Sequence, residues 1–308
     1  VMLLGSLNAS SDLFSHLWAT VLPEYIRNTV VLGLLVALLS LCFGVPAAAI
    51  ISQTNIVMGK QLRWLLMLPL AMPAYLVAYL YTDLFDYAGP VQRLLRAWFD
   101  WQSPNDYYFF DIRTIGGGAI VIALVLFPYV YMLTRTAFEQ QDRNLLRASR
   151  LLGCTERQSF YQIALPLARP AIAVSLALVT METLADFATV QYFAVNTLTT
   201  AIYDTWLGYS DFAAANALAS VLMLFILFVV VAEQRARAGQ RHQSSRPNTQ
   251  HQRKKLSLTQ QVVASLFCWF LVFAGFLLPV ILLLVMAFDY ADQQQFLALI
   301  ETGKNSIE

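Results

Sequence analysis

The chain has 308 residues, 58% hydrophobic and 13% charged, about half the roughly 25% charged share of an ordinary soluble domain. Its 20 Lys and Arg nearly balance 19 Asp and Glu, which argues against a nucleic-acid partner held by bulk charge. Cys42, Cys154 and Cys268 are too few and scattered for a disulfide framework, form no C-x-x-C pair that could hold zinc, and read as inert packing residues.

In chain order, the opening "VMLLGSLNAS" is too short an apolar run for a signal peptide or a span, and reads as the outer end of a helix that begins upstream. A bilayer core about 30 Å thick takes about 20 mainly apolar helical residues to cross, because backbone groups in lipid must bond within their own segment. Six stretches meet that demand, from Thr29 to Ile51, Trp64 to Thr82, Gly116 to Thr134, Pro170 to Thr189, Phe212 to Ala232 and Val262 to Phe288. The expected fold is therefore an all-α polytopic membrane protein.

Loops 52–63, 135–169 and 233–261 hold 15 of the 20 Lys and Arg, so they are expected on the cytoplasmic side. The opposite side carries Asp83, Asp86, Asp100, Asp106 and Asp111, with the aromatics of "DYYFFD" as interfacial anchors. Gly116, Gly117 and Gly118 suit either close helix approach or a helix-entry loop. Segment 233–261, rich in Gln, Arg and Ser, reads as a solvated cytoplasmic linker, with binding to anionic lipid as the alternative. His242 and His251 lie in it and His16 in the outer segment, all apart from any carboxylate cluster. The polar tail after Phe288 is unfinished, so both ends read as cut.

The long second cytoplasmic loop is the most informative stretch. "RTAFEQQDRNLLRASRLL" spaces Phe138, Leu145, Ala148 and Leu152 as one amphipathic helix. Gly153 supplies a positive-φ stop. Thr155 and Gln158 form a capping box that starts a second helix carrying Phe160, Ile163 and Leu165. Pro166 is expected to end that helix, and Pro170 to open the next span. Such a hairpin could pass a push from a cytoplasmic partner into the bilayer, or simply rest on the lipid surface.

A resemblance favours the first reading. Ala148, Gly153 and the "IALP" of Ile163 to Pro166 stand at spacings similar to the EAA loop of permease subunits of binding-protein-dependent ABC importers. Arg147 stands where that family usually has Glu, and Ser149 where it has a second Ala. The resemblance implies a type I ABC importer transmembrane domain whose coupling helix, comprising Arg147, Ala148, Ser149, Gly153, Ile163, Leu165 and Pro166, docks in a groove of a cytoplasmic ATPase. The apolar and arginine side chains around Gly153 would form the contact surface.

"LPLAMPAYLVAYLYTDLFDYAGPVQ", "FPYVYMLTRTAF" and "LARPAIAVSLALVTMETLADFATVQYFAVNTLTTAIYDTW" resemble the ferric-iron subfamily, whose members fuse two permease halves. That implies a first half at 1–232 lacking its first span, a linker at 233–261 and the start of a second half at 262–308. It further implies an ATPase dimer that binds ATP and Mg, a periplasmic substrate-binding protein, a second permease half and the lipid bilayer of the bacterial inner membrane as surroundings. No cofactor is expected in this chain.

Glu182 and Asp186 stand four apart, on one face of the fourth span if the helix continues, where an ionised side chain is costly unless it meets water, a partner or a pathway. With Tyr79, Tyr129 and Tyr131 they are candidates to line a translocation path, since a hard trivalent cation prefers oxygen ligands. The competing reading gives the two carboxylates structural hydrogen bonds near the outer helix end. No tightly bound metal is expected, because a carrier must release its cargo. Permeases for thiamine, a polyamine or sulfate are the alternatives within the family. Outside it, an intramembrane enzyme finds no H-E-x-x-H or G-x-S-x-G, and the absence of G-x-x-x-x-G-K-[ST] argues against an ATPase site of its own. A receptor or scaffold would leave the hairpin pattern unexplained.

Overall fold

A computed structural model describes residues 22–238 and 254–290. Helix α1 is Leu22–Gln53, α2 Gly59–Leu65, α3 Ala74–Phe85, α4 Pro90–Phe99, α5 Ile115–Gln140 and α6 Arg143–Leu151. Then follow α7, Glu156–Ala185 with a π turn at Phe160–Ala164, α8, Ala188–Tyr192, α9, Leu198–Tyr203, α10, Phe212–Ala238, and α11, Leu258–Phe288. Among the described residues five helices, α1, α5, α7, α10 and α11, are individually long and apolar enough to cross a membrane.

The expected second span is bent. Its two halves, Gly59–Ala71 and Ala74–Phe99, meet at 89°. The break falls at Met72, which is extended (φ −93°, ψ 126°) before Pro73, because the proline ring excludes helical dihedrals from its predecessor.

Helix α5 is the centre of the bundle: two-thirds of its most apolar window, 67%, is buried, against 33% or less in the other four. Its one side packs on α1 through Leu32 and Val36 and on α3 through Val77, Ala78 and Tyr81. Small residues allow the closest approach. A Cβ on Gly44 would stand 2.6 Å from the Val130 Cβ, so α1 and α5 touch almost backbone to backbone, the packing that apolar solvent leaves available to helices.

Toward the end expected on the cytoplasmic side a second cluster joins Ala47, Ile51, Leu62 and Phe127 to Ala164, Cys268 and Leu271. Cys268 is thus a packing residue, whereas Cys42 is exposed. At the outer end Leu22, Leu184, Leu198 and Leu218 hold α1, α7, α9 and α10 together. Gly118 lies against the Phe193 ring, where a Cβ would approach to 3.3 Å, which favours the close-approach reading at that position.

Helix α11 docks through its own π turn, Phe273–Leu277. A π turn disturbs the regular carbonyl partners of a helix, and the Tyr81 hydroxyl donates to the Ala274 carbonyl in this stretch. Within segment 233–261, α10 continues to Ala238, Lys254–Lys255 pair in parallel with Thr54–Asn55, and α11 starts at Leu258. Residues 239–253, with His242 and His251, lie outside the described residues, as do His16, the opening segment and the tail from 291.

Candidate functional site: a cytoplasmic helical hairpin

The stretch from Arg135 to Leu152 folds as two helices, where the sequence pattern suggested one. Helix α5 ends at Gln140, Gln141 is extended, and Asp142 caps α6 by accepting from the Asn144 N–H at 2.9 Å. Aspartate competes for backbone donors in this way, which favours a helix start over a helix interior. Phe138 therefore belongs to the buried end of α5, while Leu145 is exposed on α6.

Helix α6 closes on Gly153, which has φ +92°. The Gly153 N–H donates to the Arg150 carbonyl and the Cys154 N–H to the Ser149 carbonyl, each at 3.0 Å. This is the paired Schellman pattern, which requires a residue at ease with positive φ. Thr155 then caps α7 as expected: its N–H donates to Gln158 Oε1 at 2.8 Å, and its Oγ1 accepts from the Gln158 N–H at 3.3 Å.

Between the two arms the Ser149 and Ser159 hydroxyls share a buried hydrogen bond of 2.5 Å, and Ser149 also donates to the Leu146 carbonyl at 2.9 Å. An Arg150–Glu156 ion pair at 3.6 Å crosses the tip, but both side chains are about half exposed, so screening leaves it little weight. At the tip, Leu151 is 88% and Leu152 85% exposed, and Tyr161 stands out at 65% on the first turns of α7.

The base of the hairpin is tied to α5. Gln141 Nε2 donates to the Ala164 carbonyl at 2.7 Å, and the Phe160 ring packs on Phe138 with centroids 5.8 Å apart. Contrary to expectation, α7 runs through Pro166 and Pro170 without ending. The π turn at Phe160–Ala164 immediately precedes Pro166, and such a turn locally reshapes the bonding ladder from which proline removes a donor.

The expected coupling residues thus divide. Ala148 and Gly153 are exposed, Ser149 is buried inside the hairpin, and Ile163, Leu165 and Pro166 are partly buried at its base. The side chain of Arg147 lies outside the described residues. The apolar side chains beside Gly153, Leu151 and Leu152, are exposed, whereas Tyr161, with no motif to mark it, went unnoticed in the sequence.

A second group that sequence reasoning missed sits beside the base. Arg63 pairs with Glu139, which also lies 3.8 Å from Arg135, and the Arg135 guanidinium donates to the Tyr131 hydroxyl at 3.2 Å. Tyr131 in turn donates to the Arg63 carbonyl at 3.1 Å. These partners come from segments far apart in sequence, and only their charges could have hinted at them.

The candidate path residues are not brought together. Tyr131 is fully buried in the cytoplasmic cluster, so it is a structural tether and lines no open path in this conformation. Tyr129, two positions away, points about 200° around the same helix and packs partly buried against the other cluster. Tyr79 is 37% exposed and its ring lies 5.9 Å from that of Tyr192.

Glu182 is exposed on α7, but Asp186 is not on the same helix, which ends at Ala185. The Asp186 carboxylate accepts from the Thr189 N–H at 2.9 Å, and its carbonyl accepts from Thr199 Oγ1 at 3.1 Å. Asp186 therefore turns the chain into α8, matching the structural reading of that carboxylate. Among the described residues no three His, Cys, Asp or Glu side chains gather as a set that could hold a metal ion.

The outer face is fixed by Arg113, which donates to the Asp86 carboxylate at 3.0 Å and to the Tyr192 carbonyl at 3.2 Å. That hydrogen bond holds the Asp86 carboxyl below its ordinary pKa, helped by the Tyr87 N–H.

A bent span, a central buried helix and a hairpin between two spans mark a polytopic membrane protein. Residues 40–241 match the family described as the binding-protein-dependent transport system inner membrane component, and the chain belongs to that family of multi-pass inner-membrane proteins. A ferric transport system permease protein of Haemophilus influenzae is 29% identical over 74% of this chain, and one of Actinobacillus pleuropneumoniae 29% identical over 68%. The chain spans 36% and 30% of those relatives' lengths. A molybdenum transport system permease protein of Escherichia coli is 30% identical over 53% of this chain and 67% of its own length.

Among solved structures, a chain of a bacterial alginate ABC transporter in complex with a periplasmic protein aligns with a TM-score of 0.57 at 19% identity, covering 74% of this chain and 82% of its own. A chain of the inward-facing MetNI methionine ABC transporter aligns at 0.51 and 16% identity, covering 71% and 96%. The fold is thus that of the type I ABC importer transmembrane domain.

Proposed function

We propose that this chain is part of a permease that carries ferric iron inward across the inner membrane, driven by a separate cytoplasmic ATPase dimer that binds ATP and Mg and supplied by a periplasmic binding protein. The observation that carries the reading is the hairpin: a tip of exposed leucines at Gly153, rigidly capped on both sides and tied at its base to α5. Exposed apolar residues at a tip on the cytoplasmic side suit a groove on a partner. Residues 1–232 would form one permease half, 233–261 the connection and 262–308 the start of a second half.

Ferric iron is preferred because two relatives that match 74% and 68% of this chain are ferric transport system permease proteins. The molybdenum relative supports a second reading, in which the cargo is an oxyanion. The carboxylates do not decide between them, since Asp186 is engaged in capping and only Glu182 is available for a path.

The test is uptake of radiolabelled ferric iron by cells carrying the full-length protein with its ATPase and binding protein, with excess molybdate as competitor. Energy-dependent iron uptake indifferent to molybdate is expected. Molybdate uptake without iron uptake would overturn the substrate while leaving the importer reading in place.

A further inference from the structure

An open groove of about 500 Å³ lies between α1 and α11, toward the end assigned to the cytoplasm. Pro46 and Ile50 form one wall, and Val263, Ala264 and Phe267 the other. Thr259 and Gln260, in the first turn of α11, stand at its mouth. From Thr259 to Phe267 the helix rises about 12 Å at 1.5 Å per residue, close to the depth of one leaflet, about half of a 30 Å core. Within it Ala264 is 9% exposed, whereas Val263 is 63% exposed on the rim. An apolar slot of this length, open to the side, has the shape of a chain-like apolar group lying along the bilayer normal.

The chain on both sides of its mouth is basic in sequence. No acidic residue occurs between Ile51 and Thr82, or between Glu233 and Asp289. Lys60 is exposed in the first turn of α2, whose Leu62 shares a core cluster with Ala264 and Ile51. Lys254 and Lys255 stand in register with Thr54 and Asn55, three to four residues before α11 begins. The first turn of α11 has no acidic side chain, and Ser257 makes no side-chain cap, so the amide end of this long helix adds to the positive field. Lysines next to the cytoplasmic leaflet attract anionic headgroups.

We propose that this groove is a binding site for an anionic phospholipid of the cytoplasmic leaflet. One acyl chain lies between Pro46 and Ile50 of α1 and Val263 and Phe267 of α11. The phosphate sits at Thr259 and Gln260, at the amide end of α11, with Lys254 and Lys255 just before it in the chain and Lys60 on the adjoining α2. The lipid fills the seam between the α1–α5 core and α11, and so seals the two against each other at the cytoplasmic surface.

The test uses the full-length protein with its partner subunits, purified in detergent and incubated with phosphatidylglycerol carrying a diazirine on its acyl chain. After irradiation, adducts are mapped by mass spectrometry. Adducts are expected on 46–50 and 259–267, at least fivefold above those from a phosphatidylcholine of the same chain. Val263→Trp, which fills an exposed rim position, should lower them at least fivefold with unchanged elution on size exclusion. Replacing Lys60, Lys254 and Lys255 by Gln should bring the ratio of the two lipids toward one. Equal labelling by both lipids at the outset would overturn the proposal in favour of a nonspecific lipid annulus. So would adducts confined to other surfaces, or a cross-link from a photoreactive residue at position 263 to another protein segment.

Discussion

Replacing Gly153 by valine tests the hairpin at its most constrained point. The cost comes from the backbone alone, because nothing lies within 4 Å of where a Cβ would stand. At φ +92° the residue lies beyond the ordinary left-handed well near +57°, and an L side chain held in such a region costs about 1–3 kcal/mol. A β-branched residue belongs at the upper end of that range. About 2–3 kcal/mol is roughly a 30- to 150-fold shift in the local opening equilibrium. Opening breaks the two hydrogen bonds from the Gly153 and Cys154 amides to Arg150 and Ser149. Hydrogen exchange of the Cys154 amide should therefore accelerate by about that factor, while amides in the middle of α5 keep their rates. Gly153→Asn, which accepts left-handed dihedrals more readily, should fall between. Under the proposed function the valine variant also inserts normally and loses uptake. An unchanged Cys154 exchange rate would refute the strain argument, whatever happened to transport.

Ser149→Ala leaves the Ser159 hydroxyl buried without the partner it has now, a loss of about 1–3 kcal/mol. The double replacement with Ser159→Ala should cost less than the two singles added, as a double-mutant cycle by thermal unfolding would show. Gly44→Ala places a methyl within 2.6 Å of the Val130 Cβ and should lower stability by about 1–3 kcal/mol through overpacking; a wild-type melting temperature would contradict the close α1–α5 contact. Asp86 has a folded pKa depressed by Arg113, so its contribution is present above the unfolded value of about 3.9 and fades as pH falls through the lower folded value. Asp86→Asn should therefore melt slightly below wild type at pH 7, the gap closing as pH falls through the lowered folded value. The effect is small because both side chains are 46% exposed.

The spans were legible because lipid imposes length and apolarity together, leaving little for tertiary context to alter. The hairpin tip was legible for a related reason: Gly153, Thr155 and Gln158 act through backbone donors within a few residues of themselves. Failures came where a partner that the pattern does not mark, distant or near, supplies the missing bond. Pro166 reads as a stop in isolation, yet α7 passes it behind a π turn whose Ala164 carbonyl is held by Gln141. Tyr131 reads as a path residue, yet its hydroxyl is taken by Arg63 and Arg135. Asp186 reads as the partner of Glu182 only if the helix continues, and its own carboxylate, by accepting from Thr189, helps to end it. Pro73 did carry the signal for the bend at Met72; apolar content alone masked it.

The continuity of α7 bears directly on how a hairpin could work a transporter. Its 30 residues extend about 45 Å, more than the roughly 30 Å core of a bilayer. A helix stopping at Pro166 would place a hinge between hairpin and span, and a push at the tip would be absorbed there. Without that stop, Thr155 at one end and the Asp186 turn at the other belong to one rod. At its outer end α8 is joined to α3 and α5, through the Tyr79–Tyr192 contact and the bond from Arg113 to the Tyr192 carbonyl. At its inner end Gln141 binds it to α5. A displacement of the tip would thus load the central helix from both ends.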